Sequence, residues 1–216
     1  MYLSDRDLKW SIERGLLIVQ APKGTDPAKI DPSSIDLRLD KISEAKVWDI
    51  KGFAAHVGVS GEDEPVLHVG TFRYKYGDLS KKFLVGPPDG KPADIDQKVY
   101  RKGDEILIRP GGFLLWQTKE IVGTPKKDPR FICFIDGKSS RARTGLLVHF
   151  TAPTIHAGWN GNVTLEIANL GPFIIGLHED DVIAQIVVAT ISSPPEKSHE
   201  DAGSSTMGQA HVSGKD

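Results

Sequence analysis

The chain has 216 residues, with 27 Lys and Arg against 29 Asp and Glu for a formal charge of −2. Near-neutrality disfavours a nucleic-acid binder held by bulk electrostatics, while leaving room for a local basic pocket. With 39% apolar and 26% charged residues the composition is that of one globular domain with embellishments, and no stretch approaches the ~20 apolar residues of a membrane span.

In chain order, the first expected element is a helix. Ser4 stands as an N-cap, Asp5 and Asp7 sit at the positive end of the helix dipole, Leu8 and Ile12 are four apart, and Gly15 marks the stop. The polar start, Ser4-Asp5-Arg6-Asp7, does not read as a signal peptide. From residue 16 the texture changes to short apolar runs between turn residues. Strands are predicted at 16–19, 34–39, 66–69, 105–108, 113–118, 131–135, 146–150, 163–168, 173–177 and 182–189. The 34–39 run alternates, placing Ile35, Leu37 and Leu39 on one face. Cys133, the single cysteine, lies inside the apolar run Phe131-Ile132-Cys133-Phe134-Ile135 and reads as an inert core thiol; it excludes a disulfide framework and a cysteine-rich zinc site. A reducing compartment, most simply the cytoplasm, is therefore expected.

The 22 glycines and 14 prolines agree with many turns, and no long helical period appears in the middle of the chain. The pattern predicts an all-β-dominated antiparallel sandwich or barrel, not an alternating α/β fold. Residues 42–97 are polar and turn-rich and read as an insertion or pair of arms on a single domain spanning 1–191. Residues 192–216 carry only Met207 and Val212 as sizeable aliphatics, which predicts a mobile tail unless a ligand or neighbour orders it.

Three segments could carry chemistry. Asp136-Gly137-Lys138-Ser139-Ser140-Arg141-Ala142-Arg143-Thr144-Gly145 combines cations, hydroxyls and flanking glycines, which is what an anion site needs; a basic solvated turn is the competing reading. In Val163-Thr164-Leu165-Glu166-Ile167-Ala168 alternation sets Glu166 on the face opposite Leu165, towards either water or an enclosed site. In Pro153-Thr154-Ile155-His156-Ala157-Gly158-Trp159 the histidine is either a general acid or base or a surface residue. The serine-hydrolase elbow and the zinc motifs, including the deaminase pattern that cannot be built with one cysteine, are missing.

Taken together, Gly137 to Leu146, Val148-His149-Phe150-Thr151-Ala152 and Gly158-Trp159-Asn160-Gly161-Asn162-Val163-Thr164-Leu165-Glu166 resemble the dCTP deaminases of the dUTPase superfamily. Leu3-Ser4-Asp5-Arg6-Asp7-Leu8, the 30–39 segment, Arg109-Pro110-Gly111-Gly112-Phe113 and Ile183-Ala184-Gln185 are similar to further segments of that family, in the right order. The resemblance implies a dUTPase-like (β-clip) distorted β-barrel with jelly-roll-like sheets, assembled as a homotrimer with active sites between subunits. It implies zinc-independent conversion of dCTP to dUTP and ammonia, with Mg²⁺ accompanying the triphosphate and dTTP as a candidate feedback ligand. Neither nucleic acid nor membrane is an expected partner.

By the same resemblance, Glu166 is the general base and Ser139 helps to hold the water or amine. Lys138, Ser140 and Arg143 bind the triphosphate, backbone groups near Thr151 and Ala152 read the pyrimidine edge, and Arg141, Ala142, His156, Thr164 and Leu165 are further substrate-binding residues. Gln209 stands in the family's closing segment and makes residues 192–216 a lid. Two departures stand out: His156 occupies a position where the family commonly has Asp, which speaks against pyrophosphate cleavage, and Lys138 replaces an arginine. The alternatives are a dUTP diphosphatase, a bifunctional deaminase-diphosphatase, or a nucleotide-binding regulator without turnover.

Overall fold

The computed structural model describes residues 1–59, 64–70, 75–90, 97–149, 151–196 and 212. Helix α1 (Asp5–Glu13) begins after Ser4, whose extended backbone (φ −81°, ψ 169°) makes it the N-cap. The Ser4 hydroxyl donates to Asp7 Oδ2 at 3.0 Å instead of capping a backbone N–H. Leu8 is fully buried and Ile12 packs against the core, the outcome of their four-residue spacing.

Short strands then follow: β1 (Ile18–Gln20), β2 (Ile30–Asp31), β3 (Ser34–Arg38) and β4 (Val47–Trp48). Helices α2 (Ile50–Val57) and α3 (Tyr76–Phe83) lead to β5 (Leu84–Val85), β6 (Val99–Lys102), β7 (Glu105–Ile108), β8 (Phe113–Gly123) and β9 (Phe131–Gly137). One turn of helix, α4 (Ser139–Ala142), precedes β10 (Leu146–Val148), β11 (Thr154–Ile155), β12 (Asn160–Asn169), β13 (Ile175–His178) and β14 (Val182–Thr190). Among the described residues these form a four-stranded sheet β1-β8-β12-β10, a five-stranded sheet β11-β9-β14-β3-β2, a three-stranded sheet β13-β7-β6 and the ribbon β4-β5.

The protein is thus mostly β, as expected, with several antiparallel sheets that do not close into a barrel. The two larger sheets share one apolar core. Leu114, Trp116, Leu165 and Ile167 enter it from the first, and Ile35, Leu37, Ile135 and Ile186 from the second. Each such side chain contributes about 1.5–3 kcal/mol by leaving water. Cys133 is part of this core, and burial pushes its thiol pKa up to about 12, so it stays protonated and inert.

The pairing that matters most for the site is β8 with β12, which runs antiparallel from Asn160↔Gly123 to Ala168↔Phe113. Its register shifts between Asn162 and Thr164. Side chains repair the break: Val163 N–H donates to Thr118 Oγ1 (2.9 Å), and Asn162 Nδ2 donates to the Thr118 carbonyl (2.8 Å). After the bulge the strand alternates strictly, with Val163, Leu165 and Ile167 buried and Thr164, Glu166 and Ala168 on the opposite face.

Residues 42–97 differ from the sequence expectation. Residues 66–69 are not a strand: Val66 and Val69 are exposed in an irregular segment. Helices α2 and α3 carry no strong sequence signal, because each is eight residues long and contains a glycine. Tertiary contacts hold them, with Phe53 edge-on to Phe83 at 5.5 Å and Asp49 Oδ1 accepting from Gly52 N–H at 2.9 Å. This segment is fastened to β8 through Lys46 and Leu115, which exchange both backbone hydrogen bonds (2.7 and 2.9 Å). No described helix is long and apolar enough to cross a membrane.

Candidate active site

The outward face of β12 opens onto a cavity of about 380 Å³, within the usual range for small-molecule sites. Glu166 and Thr164 stand on its floor beside Leu115 and Phe113 of β8. One side is built by the chain that leaves β10 and returns through β11, bringing His149, Ala152, Thr154, Ile155, His156 and Trp159 to the cavity. Trp48 of β4 and Tyr76 of α3 form the other side, in a T-shaped pair with centroids 6.3 Å apart. The Tyr76 hydroxyl donates to the Val212 carbonyl at 3.0 Å, and Val212 is fully buried. One residue of the C-terminal segment is therefore held against Tyr76, itself a residue of the cavity wall.

Glu166 is tied to β10 at two levels. His149 N–H donates to the Glu166 carbonyl at 2.8 Å, and His149 Nδ1 lies 2.6 Å from Glu166 Oε2. Both of these side-chain atoms are buried. His149 has φ +52°, in the left-handed region that histidine enters more readily than most residues. This turns the chain out of β10 and brings the imidazole across to β12.

The predicted site residues fall into separate groups. The cavity gathers Glu166, Thr164, His156 and Ala152. Leu165 points the other way, into the core, where it is fully buried. Thr151 is exposed and stands outside the cavity lining. Ser139, Ser140, Arg141 and Ala142 form α4, and Arg143 follows it; all five are exposed and none lines the cavity of its own chain. Gln209 and most of the tail lie outside the described residues.

Lys138, at the start of α4, is held by acidic partners. Its Nζ donates to Asp36 Oδ1 at 2.6 Å and more distantly to Asp31 and Gln185 (3.3 and 3.2 Å). Desolvation pulls the ammonium pKa down, but the hydrogen bonds and charges of Asp36 and Asp31 outweigh it and hold the group above the ordinary lysine value. Lys138 thereby ties α4 to β2, β3 and β14. No described cluster of three or more His, Cys, Asp or Glu is placed to hold a metal ion.

Trp48, Tyr76, Phe113, Leu115, His149 and Trp159 line the cavity without having been singled out as site residues in the sequence. Trp48 and Tyr76 come from segments with no motif, whereas Phe113 and Trp159 stand in segments that carry the family resemblance. His149 had a signal in the sequence: it stands in Val148-His149-Phe150-Thr151-Ala152, one of the segments that carry the family resemblance.

Comparison with known proteins decides the family. The family model described as dCTP deaminase-like matches residues 2–191. This chain belongs to that family. It is 30% identical over 212 residues to the "dCTP deaminase, dUMP-forming" of Methanothermobacter thermautotrophicus, covering 96% of this chain and 89% of the relative. It is 32% identical over 212 residues to the protein of the same name from a Nocardioides species, covering 97% and 91%. Among solved structures, the 2′-deoxycytidine 5′-triphosphate deaminase of Agrobacterium tumefaciens superimposes with a TM-score of 0.54 at 17% identity. That match covers 87% of this chain and 47% of the other, and it supports the likeness of fold.

Proposed function

We propose that the protein hydrolyses the exocyclic amine of dCTP, with Glu166 as general base. The observation that carries this is the Glu166 carboxylate on the floor of an aromatic-walled cavity, in a chain of the dCTP deaminase-like family. Cytosine C4 is a poor electrophile towards neutral water, so a base must take a proton as the water adds. Glu166 accepts that proton, the oxygen bonds to C4, and the C4–N3 π electrons move to N3, which is protonated in turn. Glu166 passes the first proton to N3, then takes the second from the C4 hydroxyl and delivers it to the amine, so that the C4–N4 bond breaks, the C4 carbonyl forms and ammonia leaves. Trp48, Tyr76 and Phe113 supply apolar walls for the ring, and remote phosphate contacts fix its position.

The triphosphate grip in this reading comes from Ser140, Arg141 and Arg143, with Ser139 beside the reacting amine. Because α4 lies outside its own chain's cavity, a second copy brings these residues to the site, as a homotrimer with inter-subunit sites would. Mg²⁺ enters with the triphosphate, whose charge it shares with these cations. The buried single thiol suits a cytoplasmic enzyme of the nucleotide pool.

Two products are to be distinguished. His156 at the cavity, where the family commonly has Asp, favours release of dUTP. The names of the relatives, "dCTP deaminase, dUMP-forming", favour a second step in which the same site also removes pyrophosphate. Incubation of purified protein with Mg²⁺ and dCTP, beside Glu166→Gln, separates them by anion-exchange analysis of nucleotides and an ammonia assay. dUTP with ammonia, absent in the variant, supports the first reading; dUMP with pyrophosphate supports the second. Binding without ammonia overturns both and points to a regulator.

A further inference from the structure

We propose that His149 is a positioning residue for Glu166: its Nδ1–H holds Oε2, so that Oε1 is the oxygen presented to the cavity. The proposal rests on Glu166 being the base, and it adds a residue that the family resemblance gives no role.

The geometry has three independent parts. His149 Nδ1 and Glu166 Oε2 stand 2.6 Å apart, within ion-pair reach, and both are buried without a hydrogen bond of standard geometry to any group as the side chains stand. Two polar atoms in that position would each carry a desolvation cost of about 1–3 kcal/mol if they did not share a proton. Secondly, the Glu166 side chain as a whole is 33% exposed although Oε2 is buried, so its accessible part faces the cavity. Thirdly, the backbone pays for the arrangement: φ +52° at His149 is a non-glycine left-handed residue, an unfavourable conformation kept where β10 hands the chain to the cavity wall. The His149 N–H to Glu166 carbonyl bond (2.8 Å) then makes a two-point clamp between the same two residues.

The consequence concerns the free carboxylate rotation that a base on an open strand face would have. A carboxylate pinned at Oε2 keeps its second oxygen aimed at one place, where the attacking water must stand. A neutral imidazole with hydrogen on Nδ1 is a donor at that atom and needs no charge of its own. Proton transfer to Oε1 leaves the clamp in place through the reaction.

The test compares His149→Ala, His149→Asn and Glu166→Gln with the wild type in steady-state ammonia release from dCTP. Asn keeps a donor close to the place of Nδ1 and tolerates the left-handed backbone. Expected is a loss of kcat of roughly 10–100-fold in His149→Ala with KM within about threefold, and recovery to within about fivefold in His149→Asn. Equal kcat in wild type and His149→Ala overturns the proposal, as does an Asn variant no better than Ala. A second readout needs no turnover: ¹⁵N NMR of the His149 ring in wild type and Glu166→Ala. A protonated Nδ1 in the wild type that gives way to protonated Nε2 in the variant supports the clamp. The Nε2–H tautomer in both overturns it. Should the wild type release no ammonia, the deaminase reading fails, and the tautomer still decides whether the clamp exists.

Discussion

Gly145→Ala is the substitution whose cost can be worked most directly from the structure. Gly145 ends the basic turn after α4, with φ +93°, and its carbonyl accepts from Leu170 N–H at 2.9 Å. A Cβ at this position overlaps the backbone of Gly171 at the end of β12. No rotamer change relieves an overlap with backbone, so the two segments must part. A positive φ costs an alanine about 1–2 kcal/mol, and forced overlap in a packed place costs about 1–3 kcal/mol more. The expected loss is therefore about 2–5 kcal/mol. Gly103, in the turn between β6 and β7, isolates the first part: its φ is +66° and a Cβ there meets nothing within 4 Å. Gly103→Ala should lose only about 1–2 kcal/mol. Urea unfolding followed by circular dichroism measures both, at unchanged slope. Equal losses in the two variants would refute the close approach of residues 145 and 171.

Three further outcomes are expected. Glu120 is fully buried and accepts from Arg38 Nε (2.6 Å) and from Arg38 N–H (2.8 Å), so Glu120→Ala strands a mostly buried guanidinium and should cost about 3–5 kcal/mol in urea unfolding, whereas Arg38→Met with Glu120→Leu should cost less. Lys138 has a folded pKa raised above its ordinary 10.5, so its pairing with Asp36 and Asp31 stabilises fully below that value and is lost as pH rises through the folded pKa. The stability gap between wild type and Lys138→Met should accordingly stay constant from neutral pH and narrow only above 10.5. Trp48→Ala removes one cavity wall and should raise KM for dCTP about tenfold with kcat little changed, a pattern that steady-state kinetics resolves.

Legibility followed the range of the interactions involved. The strands of the central sheets could be read because alternation is a local pattern: Val163, Leu165 and Ile167 are buried and Glu166 lies opposite them, as period two requires. Helix α1 was equally legible from Ser4, the two first-turn aspartates and the Leu8–Ile12 spacing. Helices α2 and α3 were not, since their stability comes from the Phe53–Phe83 contact and the fastening of Lys46 to Leu115, between residues far apart in the chain. Residues 66–69 show the converse error: an apolar run without a partner strand stays irregular.

Composition, periodicity and ordered motifs by themselves determined that the chain is β-dominated, that its thiol belongs to the core, and which family it resembles. Tertiary structure alone decided what surrounds Glu166. It brought Trp48 and Tyr76 from the 42–97 segment to the cavity, turned His149 through a left-handed backbone onto Oε2, and bound Lys138 to Asp36. It also left α4 outside the cavity of its own chain. The physical reason is that a repeat of hydrophobicity encodes which face of an element is buried, while the meeting of two elements depends on loops, registers and strain that no single stretch of sequence contains.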